Sequence, residues 1–107
     1  MSTYVVEYKN IILDNIMQGK TGIMLLRGTS MLPTISDGAI LYVCSQQEYY
    51  VGDIIVFSYP KEGYIVHRII EKEGKVLICK GDNTNRKEVI MSRQIIGKVI
   101  RYFPEGI

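Results

Sequence analysis

Two hydrophobic patterns follow one another along the chain, and each predicts a different kind of element. Over residues 4–19, apolar side chains recur every three or four positions, which is the period of an amphipathic helix. This apolar set comprises Val5, Val6, Tyr8, Ile12, Leu13, Ile16 and Met17. Gly19 and Gly22 are typical of a helix end. The pattern therefore predicts one N-terminal helix within residues 1–21.

From residue 22 onward, short runs rich in Ile, Val and Tyr alternate with turns that contain glycine. Such runs are typical of strands, which we expect at residues 22–27, 39–44, 53–59, 64–70, 75–80 and 95–102. This pattern favours a mainly β fold, a small β barrel that is closed or half open, with the helix packed on it. Because the chain has 107 residues and neither repeats nor linkers, we interpret 1–107 as one domain with a β core over 22–107.

Charge and composition exclude several classes of function. The 13 basic and 11 acidic residues nearly balance, and Lys and Arg form no run, so we expect no nucleic-acid partner. No stretch reaches the ~18–20 apolar residues of a transmembrane segment, and the N-terminus lacks a signal-peptide pattern. We therefore expect a cytoplasmic protein, with peripheral membrane association as an option. Cys44 and Cys79 match no metal-ligand spacing and could form a disulfide in a secreted protein, but both lie in predicted buried strands, so we interpret them as two free, packed thiols. We expect no metal or cofactor.

A candidate nucleophile lies in a loop that follows the first strand of the β core. Ser30 stands between Gly28, which permits unusual backbone angles, and Pro33, which stiffens the end of the loop. A serine held away from regular strand pairing in this way can be presented to a substrate. The alternative is an ordinary surface turn, since Ser, Gly and Pro are common turn residues.

The only histidine of the chain falls in a predicted strand. His67 shares an apolar face with Ile65 and Ile69, while Arg68 points to the other face. An imidazole in apolar surroundings can act as a neutral general base, because burial disfavours its charged form. The alternative is a half-buried histidine whose nitrogens bond to backbone groups. We interpret Arg68 as a surface or structural residue.

A carboxylate follows in the turn Gly81-Asp82-Asn83. Asp82 either contributes to a site or caps the amides of its own turn. With Ser30 and His67 it completes the set of groups that acyl transfer by an activated serine requires.

These segments, in this order, resemble the catalytic domain of type I signal peptidases. The resemblance rests on residues 28–34, 52–57, 66–69 and 80–83, and it extends from about Gly22 to Tyr102. Within that family, the chain is similar to the endoplasmic-reticulum-type branch, where a histidine replaces the lysine of most bacterial enzymes. The resemblance implies that His67 is the general base. A second aspartate that orients the histidine in that branch falls on Glu88 here, so Asp82 and Glu88 are competing partners of His67.

The chain departs from the signal peptidase pattern at two places. The family usually has a membrane anchor, and many members carry a serine two residues before the nucleophile to stabilise the oxyanion, where this chain has Gly28. Stabilisation would then depend on backbone N–H groups, including that of Ser30, and on Thr29. The Gly-x-Ser-Met form also resembles the self-cleaving repressor peptidases, which share the fold. Met31 is expected to line the substrate groove.

We therefore predict a serine endopeptidase that processes a peptide or protein precursor through a Ser30–His67 dyad. The resemblance implies an extended peptide substrate, bound by strand addition, with small residues before the cut. Two alternatives stay open: a peptide-binding module of the same fold without activity, and a repressor-type autoprotease. The apolar surface of the N-terminal helix is expected to bind a partner, namely a second copy of the chain, a precursor protein or a membrane.

Overall fold

The computed structural model describes residues 4–7, 16 and 18–104. They form eight strands and one short 3₁₀ helix. The strands are β1 (Tyr4–Glu7), β2 (Gly22–Arg27), β3 (Ile40–Cys44), β4 (Ile54–Tyr59), β5 (Gly63–Glu73), β6 (Val76–Lys80), β7 (Lys87–Met91) and β8 (Ile95–Phe103), and the 3₁₀ helix is Ser92–Gln94. The six strands expected from the sequence are all present. β7 was not predicted, because Lys87 and Glu88 give its start the polar character of a loop.

The predicted N-terminal helix is wrong over its first residues. Tyr4–Glu7 is a strand that pairs with β2, with Val5 opposite Leu26 and Val6 opposite Leu25. The apolar pattern of these residues permits either a helix or a strand. Aromatic and β-branched residues favour a strand, and the backbone hydrogen bonds to β2 stabilise it. Residues 8–15 and 17 of the predicted helix lie outside the described residues, and among those described no α-helix is delimited. The partner surface expected on the helix therefore stays a prediction.

All strands join in one antiparallel sheet with the order β1-β2-β3-β8-β4-β5-β6-β7. A single residue pair, Tyr4 opposite Ile65, also brings β1 to β5. The sheet continues past that point through β6 to β7 and is not closed, so the closed form of the predicted barrel is wrong, while the mainly β class is confirmed. Irregular pairing at three places, including the one after Ile69 in β5, adds bends of the kind that let a sheet curl.

Apolar side chains form two clusters on the two faces of the sheet. Four consecutive residues of β4, Ile54–Phe57, are buried, and they contribute alternately to both clusters. The first cluster also contains Ile16, Met24, Leu26, Met31, Ile35, Ala39, Leu41, Val43, Val66 and Val99. The second contains Tyr49, Ile65, Ile69, Leu77, Cys79 and Ile90. Because alternate residues of a strand share a face, His67 lies on the side of the second cluster, between Ile65 and Ile69.

Candidate active site

Ser30 lies in the loop between β2 and β3, residues 28–39, which we call the serine loop, and only 2% of its surface is exposed. The loop turns tightly, since Leu32 donates its N–H to the carbonyl of Thr29 and Ile35 to that of Met31. At its start, Gly28 has a φ of 110°, which glycine adopts without strain, and its N–H donates to Asp37 Oδ1 at 2.9 Å. These contacts hold Ser30 so that its Oγ lies 2.9 Å from His67 Nε2.

His67 lies opposite Ile55 of β4 and is also 2% exposed. Its ring meets that of Phe57 edge-on, with 6.4 Å between the centroids. On its other side, Nδ1 lies 2.6 Å from Glu88 Oε1. An ionised carboxylate only accepts hydrogen bonds, so Nδ1 is the donor in that contact. In the tautomer with its hydrogen on Nδ1, the ring has no hydrogen on Nε2, which can accept the Ser30 hydroxyl proton.

Glu88 is completely buried, although it belongs to the edge strand β7. A buried carboxylate is costly unless its oxygens are hydrogen-bonded, and here both have a partner. Oε1 meets His67, and Oε2 accepts a hydrogen bond from Arg86 Nε at 3.1 Å. Arg86 in turn reaches Glu62 with Nη2, at 3.0 and 2.8 Å from the two carboxylate oxygens. Its guanidinium also lies 5.6 Å from the centre of the Tyr59 ring.

Asp82, the other candidate partner of His67, binds elsewhere. Its two oxygens accept hydrogen bonds from Arg68 Nε and Nη2, both at 2.8 Å, and Oδ2 also accepts from the Thr34 hydroxyl at 2.5 Å. Arg68 Nη1 donates to the carbonyl of Gly52 at 2.8 Å. The Arg68 guanidinium holds the pKa of the Asp82 carboxyl below its usual value. Asp82 therefore ties the serine loop, β5 and the turn after β6 together.

The residues on both sides of Asp82 contact the serine loop directly. Asn83 donates its backbone N–H to the carbonyl of Ser30 at 2.7 Å and its side-chain amide to that of Thr29 at 3.2 Å. A Cβ on Gly81 would lie 2.6 Å from the Ser30 carbonyl oxygen and 3.0 Å from His67 Nε2. Real Cβ atoms essentially never approach backbone so closely, so a side chain at this position would displace the Ser30 carbonyl or the His67 ring.

The structure places the other predicted site residues as follows. Thr29 flanks the serine and its carbonyl accepts the Asn83 amide. The N–H of Gly28 is bonded to Asp37 within the loop. The expected place of Met31 in a substrate groove stays a prediction, and in this structure its exposed fraction is 0% within the first apolar cluster. The reason is the direction of the loop, which turns Met31 inward together with Ile35.

The two cysteines are both free, as expected. Burial raises the pKa of the Cys79 thiol to about 12, so it is protonated at neutral pH. Over the described part of the chain, no group of three or more His, Cys, Asp or Glu side chains could hold a metal ion. Within that same part, no helix is long and apolar enough to cross a membrane.

Ser30, His67 and Glu88 were candidate site residues from the sequence, and the structure places their side chains in one hydrogen-bonded line. Sequence reasoning missed Arg86, Glu62 and the packing role of Gly81. The available signal for the arginine was its position two residues before Glu88 in the sequence, from which its side chain reaches the carboxylate. A hydroxyl, an imidazole and a carboxylate so arranged can transfer a proton away from the hydroxyl oxygen and so make it nucleophilic.

Comparison with known proteins identifies a family. The sequence profile of the family described as Peptidase S24-like matches residues 3–100. Neither the search of curated proteins nor the search of solved structures finds a match.

Proposed function

Because the chain belongs to the Peptidase S24-like family, we propose that it is a serine endopeptidase in which Ser30 is the nucleophile and His67 the general base. The observation that carries this proposal is the line of hydrogen bonds from Ser30 Oγ through His67 to Glu88, with 2.9 and 2.6 Å between the paired atoms. The groups in this line have the order and the separations that proton transfer from a nucleophilic hydroxyl needs.

In the proposed reaction, Ser30 Oγ forms a bond to the scissile carbonyl carbon while its proton moves to His67 Nε2. The carbonyl oxygen gains the negative charge. When the tetrahedral intermediate collapses, the C–N bond breaks and His67 gives its proton to the leaving amine. Water then attacks the acyl carbon while His67 accepts its proton, and the bond between that carbon and Ser30 Oγ breaks as His67 returns the proton to Oγ. Glu88 stabilises the positive charge that the imidazole carries during both steps.

Oxyanion stabilisation is assigned to backbone N–H groups of the serine loop, with Thr29 beside them. The position two residues before the nucleophile is Gly28, which has no hydroxyl to donate. The loss of one oxyanion donor costs about 3 kcal/mol of barrier in other serine hydrolases. We therefore expect slow turnover, which suits processing of a specific precursor better than general digestion.

Within this peptidase fold, the proposed catalytic groups resemble those of the endoplasmic-reticulum-type signal peptidases, because the proposed base is a histidine. The proposed substrate is an extended peptide, bound by strand addition, with small side chains before the cut. Such a peptide would present its carbonyl to Ser30 from the solvent side of the loop over residues 28–39.

A second candidate is a peptide-binding module without activity. The observation in its favour is the low exposure of the two central groups, since Ser30 and His67 are each only 2% exposed. A substrate could reach Oγ only after the surrounding loops adjust, and a protein that does not make this adjustment would bind a peptide without cutting it.

One experiment separates the two candidates. The protein is incubated with a mixed library of short peptides, and the products are identified by mass spectrometry; in parallel, a fluorophosphonate probe is tested for covalent attachment to Ser30 by intact-mass analysis. We expect a restricted set of cleavages that disappears in Ser30→Ala and in His67→Ala, and persists in the control Ser92→Ala. Cleavage that survives in Ser30→Ala, or a wild-type protein that neither cleaves nor is labelled, would refute the peptidase proposal.

A further inference from the structure

We propose that Arg86, itself held by Glu62, is a positioning residue that fixes Glu88 and, through Glu88, the imidazole of His67. The rate readout of this proposal rests on the peptidase function proposed above, whereas its spectroscopic readout does not. The starting observation is that Glu88 is fully buried and that one of its oxygens faces His67 while the other faces Arg86.

The contacts of Arg86 fix its guanidinium on three sides. Nε donates to Glu88 Oε2, Nη2 donates to both oxygens of Glu62, and the ring of Tyr59 lies against the guanidinium. Tyr59 ends β4 and Glu62 lies in the turn that leads to β5, so the arginine is held by the strand pair that carries His67. Its outer part is in water, with a side chain that is 45% exposed, while its inner nitrogen reaches a carboxylate that is 0% exposed. Arg86 thus connects the surface to the buried end of the proposed catalytic line.

The planar guanidinium matters for this geometry. Its nitrogens donate in fixed directions, so one side can bond to Glu88 while the other bonds to Glu62. With Oε2 held, the Glu88 carboxylate cannot rotate about its last bond, and Oε1 stays aligned with His67 Nδ1. A lysine at this position could supply the charge but not both directed contacts.

Arg86 also affects where a proton resides in the His67–Glu88 pair. The ionisable groups around this pair come from each neighbouring element. They are Arg86 just before β7, Glu62 after β4, Tyr59 at the end of β4, Cys79 opposite Glu88 on β6, and Lys80, which bonds to the carbonyls of Gly81 and Thr84. Cys79 is a neutral thiol, so Arg86 is the cation in direct contact with Glu88. Removal of this charge favours a proton on the pair, and the pair must lose that proton before His67 can act as a base.

Another explanation is that Arg86 is only a structural clip between β7 and the turn after β4. In that case its loss would lower the stability but leave the imidazole unchanged in the protein that remains folded. The two explanations therefore differ in what happens to His67 itself.

Because His67 is the only histidine, nitrogen-15 labelling of histidine gives an NMR spectrum of this one ring. We would compare the wild type with Arg86→Gln, Arg86→Lys and Glu62→Gln, and use Arg93→Gln as a control, since Arg93 is an exposed arginine in the 3₁₀ helix. The measurements are the hydrogen exchange rate of the Nδ1 proton with water, the pH dependence of the ring signals, and the rate of fluorophosphonate labelling of Ser30.

In Arg86→Gln we expect the Nδ1 proton to exchange about tenfold faster, as for loss of one charge-assisted hydrogen bond. We also expect the acid limb of the labelling rate to move to higher pH by about half a unit or more, a modest shift because the arginine is partly exposed. Glu62→Gln should change both the Nδ1 exchange rate and the pH dependence in the same direction but by less. Arg86→Lys should keep the pH dependence of the wild type but only part of the protection of Nδ1 from exchange. Arg93→Gln should match the wild type in both measurements.

If Arg86→Gln and Glu62→Gln both lower the melting temperature but leave Nδ1 exchange and the pH dependence as in the wild type, Arg86 is a structural clip and the proposal is refuted. If Arg86→Gln does not fold, Glu62→Gln decides by the same two measurements. If the wild type is not labelled at all, the peptidase function fails, and Nδ1 exchange still tests the positioning role.

Discussion

Replacement of Gly81 by alanine should disable the site through steric contact alone. The added Cβ would lie 2.6 Å from the carbonyl oxygen of Ser30 and 3.0 Å from both Ser30 Cβ and His67 Nε2. Gly81 is not among the residues with positive φ, so backbone strain is not the cause. The clash is with backbone and with a histidine held by Glu88, and neither can move aside as the end of a flexible side chain could.

The size of the effect follows from how far the neighbours must move. An ordinary contact for a Cβ is 3.4 Å or more, so the Ser30 carbonyl must retreat by most of an ångström. Overpacking of this kind typically costs about 1–3 kcal/mol of unfolding free energy. A displacement of about 1 Å at a reacting group can lower a rate about 100-fold. We therefore expect Gly81→Ala to remain folded but to lose about 99% of the Ser30 labelling rate.

Gly97→Ala is the matched control for this prediction. A Cβ on Gly97 would lie 2.8 Å from Val43 Cγ1 and 3.0 Å from the Cys44 carbonyl group, so it is also crowded but contacts neither Ser30 nor His67. The assay is labelling of Ser30 by a fluorophosphonate, with urea unfolding to measure stability. The reasoning is refuted if the two variants lose similar amounts of stability and label Ser30 at similar rates.

Further predictions concern the carboxylates and the thiols. Glu88→Gln should lower the Ser30 labelling rate by about 100-fold or more while the far-UV spectrum stays unchanged, because the ring loses the anion that orients it; an unchanged rate would contradict this. Asp82→Asn should instead lower unfolding free energy by about 1–3 kcal/mol, as measured in urea at neutral pH. Because Arg68 lowers the pKa of Asp82, the ionised carboxylate stabilises the fold above about pH 4, and this stabilisation is lost as the pH falls through the folded pKa. The unfolding free energy of the wild type should therefore fall more steeply in acid than that of Asp82→Asn. Equal slopes of unfolding free energy against pH would refute the role assigned to Asp82. In the native protein iodoacetamide should modify Cys44 before Cys79, whose pKa is raised to about 12 by burial, and equal rates by peptide mapping would contradict this.

The β core could be predicted from the sequence because its strands carry a local signal. Runs such as Ile54–Tyr59 consist mainly of β-branched and aromatic residues bounded by turn residues, and they need no distant partner to be recognised. Tyr4–Glu7 has the same kind of composition, but its residues also fit the helical spacing of the segment that follows. Only the pairing of Val5 with Leu26 decides for the strand, and a pairing between distant segments is not visible in a local pattern.

The proposed nucleophile and base could be predicted for a similar reason, since each lies in a distinctive short segment. The choice between Asp82 and Glu88 as the partner of His67 could not be predicted, because it depends on which of the two carboxylates Arg68 binds. Arg68 engages Asp82 with two hydrogen bonds and draws it toward Thr34 and the serine loop. Asp82 follows Gly81, which lies close to Ser30 and His67. Its carboxylate nevertheless does not reach the imidazole of His67, because Arg68 and Thr34 bind it.

Strand register explains why the partner of His67 is a glutamate. Cys79 lies opposite Ile69 on one side and opposite Glu88 on the other, so β6 separates Glu88 from the strand that carries His67. Two strand spacings amount to about 9.5 Å between backbones, and the Glu88 side chain must reach across the intervening strand to His67. A glutamate extends one C–C bond, about 1.5 Å, further than an aspartate. The added length is what lets a residue on the edge strand reach Nδ1 at 2.6 Å while its other oxygen still meets Arg86.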